Sequence, residues 1–248
     1  MREAFSRTRM LLGDAGMAAL AGARVAVFGV GGVGSYAVEA LARAGVGHLT
    51  LVDADVVCQS NLNRQLMATI GTLGRPKVDA MRERLLSIDP DADVAAFRLF
   101  YAADTADQID LSQFDYVLDA IDTVSSKVEL AVRATALGVP IISCMGAGNK
   151  LDPARFEVAD LCDTSVCPLA RAMRAQLRRR GIEHYKVVYS KEPPRSPRGE
   201  SPPADQGAAS RRPVPGSISF VPAAAGLVMA GEVVRTLSGV ADDREETR

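Results

Sequence analysis

The stretch VFGVGGVGS, residues 27–35, places Gly29, Gly31, Gly32 and Gly34 in a G-x-G-x-x-G spacing. Glycines so spaced let a chain turn tightly and bring backbone N–H groups against a phosphate at a helix start, where the helix dipole favours an anion. Asp53 stands nineteen residues beyond Gly34, where a carboxylate can accept hydrogen bonds from ribose hydroxyls. Up to this point NAD fits as well as ATP. The segment SNLNRQ, with Asn61, Arg64 and Gln65, and the segment GRPK, with Arg75 and Lys77, then add cations. A dinucleotide pyrophosphate needs little side-chain charge, whereas a triphosphate carries about four negative charges and its transfer calls for Lys, Arg and metal clamps. The balance tips to ATP. Lys77 opens a helix, an unfavourable place for a cation unless an anion lies nearby; Arg75 could share or replace either cationic role.

Farther on, YVLDAID supplies Asp119 and Asp122 at the end of a strand. One carboxylate there suits Mg²⁺, which takes one or two carboxylates together with phosphate oxygens and water. The other suits the start of the following helix. We assign the metal to Asp122, and capping or loop bonding to Asp119 or Thr123.

These residues need a scaffold that delivers them to one edge. Apolar runs alternate with helical periodicity: strand 24–29, helix 32–44, strand 48–53, helix 77–88, strand 94–97, strand 116–118, helix 125–137 and strand 140–143. The pattern predicts an α/β fold, a doubly wound, Rossmann-like and mostly parallel sheet. Beyond Gly148 a strand at 156–158, a helix at 168–180, a strand at 185–189 and a helix at 223–237 predict a C-terminal extension completing the sheet. The expected organisation is an N-terminal helical arm (1–22), an ATP-binding core (23–150), a substrate and dimer part of the same domain (151–240) and a disordered tail (241–248). Residues 191–216, rich in Pro, Ser, Gly and Arg, are expected to form a mobile loop because they have little apolar surface to bury.

Bulk properties exclude little but place limits. The formal net charge is −1 in 248 residues, so no global polyanion-binding bias exists. Between Arg171 and Arg212, however, eleven Lys/Arg face four Asp/Glu. Arg171, Arg174, Arg178, Arg179 and Arg180 lie on or just past one helix, and Arg211 and Arg212 lie in the loop; these are candidate RNA contacts. No secretory signal pattern opens the chain, and the apolar run 218–231 is shorter than the ~20 residues a membrane span needs. A cytoplasmic protein with no membrane partner is expected. Cys58, Cys144, Cys162 and Cys167 are too scattered for a disulfide framework or a four-ligand zinc, so free thiols and no structural zinc are expected. His48 and His184 lack any metal or triad pattern and read as structural or surface groups.

The segments VFGVGGVGSYAVEALARAG, LVDADVV, SNLNRQ, GRPKVDAM and DAIDT, in this order, resemble the ubiquitin-activating-enzyme-like (ThiF-type) superfamily, which adenylates carboxylates with ATP. The segments around residues 151–153, 163–174 and 216–234 are similar to its tRNA threonylcarbamoyladenosine dehydratase branch. The resemblance implies ATP and Mg²⁺, with Asp53 on the ribose, Asp55 and Gln65 nearby, Asn61 and Arg64 on the phosphates, Lys77 at the attacked phosphate and Asp122 as the Mg²⁺-linked catalytic aspartate. It also implies a homodimer in which Arg9, with Arg7 as the alternative, reaches the partner's ATP site. The implied substrate is the anticodon arm of tRNA, with Gly146-Ala147-Gly148 as a floor for the threonylcarbamoyl group. A monovalent cation and a cysteine-desulfurase or sulfur-acceptor partner are further candidates. The stretch HYKVVYSKE lacks the cysteine that some members carry before the mobile loop. The competing readings are adenylation of a ubiquitin-like sulfur-carrier protein, an NAD-dependent oxidoreductase, and a non-catalytic tRNA or partner-binding module.

Overall fold

The computed structural model describes residues 3–199 and 215–240. Arg211, Arg212, the centre of the 191–216 loop and the 241–248 tail lie outside the described residues. The chain runs through α1 (Ser6–Gly22), β1 (Arg24–Phe28), α2 (Gly34–Ala44), β2 (His48–Val52), α3 (Lys77–Ile88), β3 (Asp93–Phe97), β4 (Tyr116–Asp119), α4 (Val124–Ala136) and β5 (Ile141–Cys144). It continues through β6 (Phe156–Asp160), α5 (Pro168–Arg178), β7 (Lys186–Ser190) and α6 (Phe220–Ser238). One seven-stranded sheet results, in the order β3-β2-β1-β4-β5-β7-β6. All neighbouring pairs are parallel except β6 with β7. Strand β1 pairs with β2 on one side and β4 on the other, so the strand order reverses there and a crevice opens beyond the carboxyl ends of these strands, where ligands of such sheets bind.

The strands form because their residues are apolar, often β-branched, and covered on both faces, as parallel strands require. Helices α1, α2, α3 and α6 close one face through Leu20, Leu41, Met81, Leu85, Met229 and Val233. Helix α6 lies against α2 so tightly that a Cβ on Gly226 would stand 2.3 Å from the Val33 carbonyl oxygen. On the other face Phe28 meets Tyr101 edge to face, with ring centroids 4.9 Å apart, and Met173, Leu177 and Tyr185 fill the space around α4 and α5.

Element ends depart from the sequence reading where tertiary packing decides them. Helix α6 begins at Phe220, before Pro222 and not after it, because proline is tolerated within a first helical turn, where its missing N–H has no partner to lose. The helix is thereby long and apolar enough to cross a membrane by length and composition. Its buried face, from Val221 through Ala225 and Met229 to Val233, packs into the core instead. Helix α5 ends at Arg178, leaving Arg179 and Arg180 in the following turn. Helix α1 is broken by Gly13, whose φ of 68° no ordinary side chain adopts readily.

Two contacts fasten the site-bearing segments. Asp119 and Lys127, both fully buried, pair across the β4–α4 turn at 3.1 Å; Asp119 also accepts from Ser143 Oγ (2.6 Å) and Ile121 N (3.1 Å), and Lys127 Nζ donates to the Ile121 carbonyl (3.0 Å). At the end of β5, Asn149 holds both flanks of the 200–214 segment: its N–H donates to Gly216 O and its Oδ1 accepts from Gly216 N, each 2.7 Å, while its carbonyl accepts from Arg195 N at 2.8 Å. Removing one member of a buried pair leaves an uncompensated charge. Lys127→Met is therefore expected to lower unfolding free energy by about 3–5 kcal/mol in urea denaturation.

Candidate functional site

The glycine turn sits between β1 and α2, at the strand-order reversal. Gly29 has φ +86°, and a Cβ on it would stand 2.7 Å from the Ala120 carbonyl, so the turn and the β4 loop touch backbone to backbone. A Cβ on Gly34 would fall 1.8 Å from Gly29 O. These two glycines are needed by the fold itself. Gly31 differs: the nearest atom to a Cβ there is Gln65 Nε2 at 3.8 Å, so its face is open to a ligand. Gly32 is intermediate, meeting the Pro222 side chain at 3.2 Å. Helix α2 starts without a side-chain cap; Ser35 N donates to Gly31 O at 3.1 Å, and the dipole at this end favours an anion.

Asp53 stands just past β2 and binds the turn. Its Oδ2 accepts from Val30 N at 2.6 Å and its Oδ1 from Asp55 N at 2.9 Å. Burial pushes its carboxyl above the ordinary aspartate value, opposed by the positive charge of Lys77 and the two N–H donors. The carboxylate is thus fixed beside the turn, with lone pairs left for hydroxyl donors.

The anion that a helix-opening lysine requires is Asp55. Lys77, 7% exposed at its side chain, sits at the first position of α3 and its Nζ lies 2.6 Å from Asp55 Oδ2. Arg75, the alternative cation, is engaged by Glu83 at 2.5 Å. Asn61 is buried and ties the loop by accepting from Cys58 N at 3.1 Å. Arg64 bends back to Ser60 O (2.7 Å) and Asn63 Oδ1 (3.0 Å). Gln65 is buried beside the turn and its Oε1 has no hydrogen-bond partner, a cost that a donor from a bound nucleotide would remove.

On the other side of the crevice Asp122 is exposed, and its Oδ1 is touched only by Thr123 Oγ1 at 3.3 Å. Asp119 bonds the loop at Ile121 N and is otherwise spent on Ser143 and Lys127, so of the two carboxylates Asp122 is the one left exposed. These contacts gather the glycine turn, the Asp122 loop, Gln65, Asp53 and, through Asp55, Lys77 at the carboxyl edge of the sheet. Arg9 is paired instead with Asp14 on the exposed N-terminal arm, at 2.5 Å.

Several predicted positions read differently in three dimensions. Arg174 does not extend the basic row: its guanidinium turns inward to Leu161 O and the Thr164 carbonyl, at 3.0 and 2.6 Å, and braces the turn before α5. Arg171, Arg178, Arg179 and Arg180 remain exposed. Gly146 and Gly148 lie beneath Cys167 and Pro215, respectively. The next residue but one, Lys150, is 4% exposed and donates to the Glu192 carbonyl, while the Glu192 carboxylate accepts from Leu151 N and Asp152 N at 3.0 and 2.9 Å. Neither Lys127 nor Lys150 stands out in the sequence, since nothing local marks a lysine as buried. Among the described residues the four cysteines are free thiols. Asp160, Cys162 and His184 come together on the outer strand side, where His184 Nδ1 is 3.1 Å from Asp160 Oδ2.

The geometry agrees with known proteins. A tRNA threonylcarbamoyladenosine dehydratase of Bacillus subtilis is 43% identical over 96% of this chain and 95% of its own length. The solved structure of the Escherichia coli tRNA N6-threonylcarbamoyladenosine dehydratase in complex with ATP superposes with a TM-score of 0.86 at 30% identity, covering 100% of this chain and 97% of that one. The molybdopterin-synthase adenylyltransferase of Escherichia coli is 40% identical, but over 55% of this chain and 54% of its own. The ThiF family model matches residues 5–248, and with a site built for a nucleotide on the matching fold, the chain belongs to the ThiF family.

Proposed function

We propose that this chain is an ATP-dependent tRNA threonylcarbamoyladenosine dehydratase, closing the threonylcarbamoyl side chain of the modified adenosine into a ring through an acyl adenylate. The observation that carries this reading is the crevice itself: an open Gly31 face, an uncapped helix start, an unpartnered Gln65 Oε1 and a buried Lys77 lie around one turn, and a relative matching the whole chain was solved in complex with ATP. The near-complete match to dehydratases, against the half-length match to an adenylyltransferase, favours tRNA over a carrier protein as substrate.

The α2 N–H groups hold phosphate, Asp53 holds the ribose, and Asn61 and Arg64 flank the phosphates. Lys77 faces the attacked α-phosphorus and offsets the charge that builds there. Asp122 would hold Mg²⁺, which when bound supplies a Lewis-acid charge to the phosphate oxygens. The substrate carboxylate attacks the α-phosphorus and pyrophosphate leaves. A nucleophile of the threonylcarbamoyl group then attacks the acyl carbon, held close enough to react at high effective molarity. The proton of that nucleophile is lost and AMP leaves carrying the former carboxylate oxygen, so water is lost overall.

A second copy of the chain completes the reading. Met10 and Leu11 on the arm are 85% and 83% exposed, and a groove of about 450 Å³ runs between Thr8, Tyr36, Ala40, Leu66 and Leu227. Such exposed apolar surface supports pairing of two copies, and pairing through it would carry Arg9 to the partner's crevice. Arg171, Arg178, Arg179 and Arg180 are the proposed phosphate contacts to the tRNA.

Three outcomes test this. Incubation with ATP and threonylcarbamoyl-modified tRNA is expected to lower the nucleoside mass by one water, with Lys77→Ala and Asp122→Asn each reducing turnover by about 100-fold or more; unchanged turnover would remove those assignments. Gly31→Ala is expected to keep the thermal midpoint while weakening ATP binding by about tenfold, whereas Gly34→Ala fails to fold, because only the second meets backbone. Mixing inactive Arg9→Ala and Asp122→Asn chains is expected to restore about a quarter of wild-type activity, since half the dimers are mixed and each has one intact site. No recovery after subunit exchange would show that Arg9 does not act across a dimer.

A further inference from the structure

A cavity of about 330 Å³ lies between the start of α4, the Ala102–Ala103 turn and the end of α5, outside the crevice described above. It falls in the range of small-ligand pockets, about 300–1,000 Å³. Two features of its floor can donate: the N–H groups at the α4 start and the Ser126 hydroxyl. Helix α4 begins without a side-chain cap from Thr123, so the N–H groups of Val124, Ser125 and Ser126 are free at the positive end of the dipole. Ser126, a lining residue of the cavity, is 1% exposed, and among the described residues its buried Oγ has no hydrogen-bond partner. A buried hydroxyl left this way costs free energy until a ligand meets it.

The walls and rim narrow the choice of ligand. Ala102, Ala103, Val124 and Val128 give the cavity apolar sides. Arg180 stands at the rim, its guanidinium braced by Gln176 O and Oε1 at 2.9 and 3.0 Å, and it continues the exposed row of Arg178 and Arg179. Two acids lie near. Glu129 lines the cavity but is held by Arg133 at 2.6 Å, and Asp122, just before the turn, faces the crevice cation in the reading above. A donor floor that favours an anion, with apolar walls and a cationic rim, fits a nucleoside monophosphate unit. Its phosphate would meet the α4 start and its ring the alanine and valine walls.

We propose that this cavity takes one unstacked nucleotide of the tRNA strand beside the modified adenosine. Recognition of RNA commonly works on such splayed nucleotides. The proposal rests on the dehydratase reading for the identity of the RNA. It adds a place where the strand is gripped, and it connects the α5 arginines to the chemistry through the β4–α4 turn that also carries Asp122.

The test uses Ser125, which is exposed at the cavity mouth. An acid in a first helical turn complements the dipole but repels a phosphate. Ser125→Glu is therefore expected to hold or raise the thermal midpoint and to leave ATP affinity unchanged. It should weaken tRNA binding about tenfold and reduce the salt dependence of binding by about one released counterion. Ser126→Ala is expected to fold normally and weaken tRNA binding about threefold. A folded Ser125→Glu chain that binds tRNA as wild type does, with the same salt slope, overturns the proposal. Free AMP, titrated into protein saturated with a non-hydrolysable ATP analogue, is the second arm: if Ser125→Glu weakens AMP but not tRNA, the cavity serves a free nucleotide and the strand assignment is overturned. Absence of dehydration in the wild type would count against the function reading, while the binding arms still decide the cavity.

Discussion

Asp119 and Lys127 have no water to solvate them, and burying either alone would cost several kcal/mol. The fold can hold them only as a pair with their remaining bonding capacity met, which forces the β4–α4 turn into one shape. Ser143 on β5, Ile121 N and the Ile121 carbonyl provide those bonds. Asp122 is displayed on the loop that this pair clamps, and Ala120 of the same loop presses its backbone against Gly29. The glycine turn, Asp122 and the start of α4 are therefore parts of one rigid assembly. Such pre-organisation is what electrostatic catalysis needs, because groups that need not move at the moment of reaction lose nothing to reorganisation.

On the opposite side of the crevice the charges balance differently. Lys77 is inside the protein and Asp55 mostly outside it, with side-chain exposures of 7% and 67%. The carboxylate can turn to water at small cost, whereas the ammonium is held inside and depends on a partner. Asp53 is tied to Val30 N and Asp55 N and links the glycine turn to the lysine loop.

Short-range signals made much of this visible in the sequence. A strand, a glycine turn and a helix within residues 24–44 identify themselves because each is dictated by neighbours along the chain. The need for an anion near Lys77 followed from helix electrostatics, and Asp55 meets it. What stayed hidden depends on distant segments. Lys127 looks like an ordinary helix lysine until β4 and β5 enclose it. Arg174 has the spacing of its exposed neighbours, yet the 161–164 turn curls under it and takes its guanidinium. Helix α6 starts before its proline because α2 is there to receive it. The free Ser126 hydroxyl could not be inferred from sequence, since serines usually find a partner near a helix start.

Asn149 carries a broader consequence. The chain reaches it from Arg195 and returns to it at Gly216, with bonds of 2.8 and 2.7 Å. Loop-closure entropy grows only slowly with length, by about 0.6 kcal/mol for each doubling. A segment that leaves and re-enters the fold at one residue can thus gain or lose many positions at little thermodynamic cost. Changes of length there leave the nucleotide edge untouched, and the same geometry makes it a natural place to insert a reporter domain.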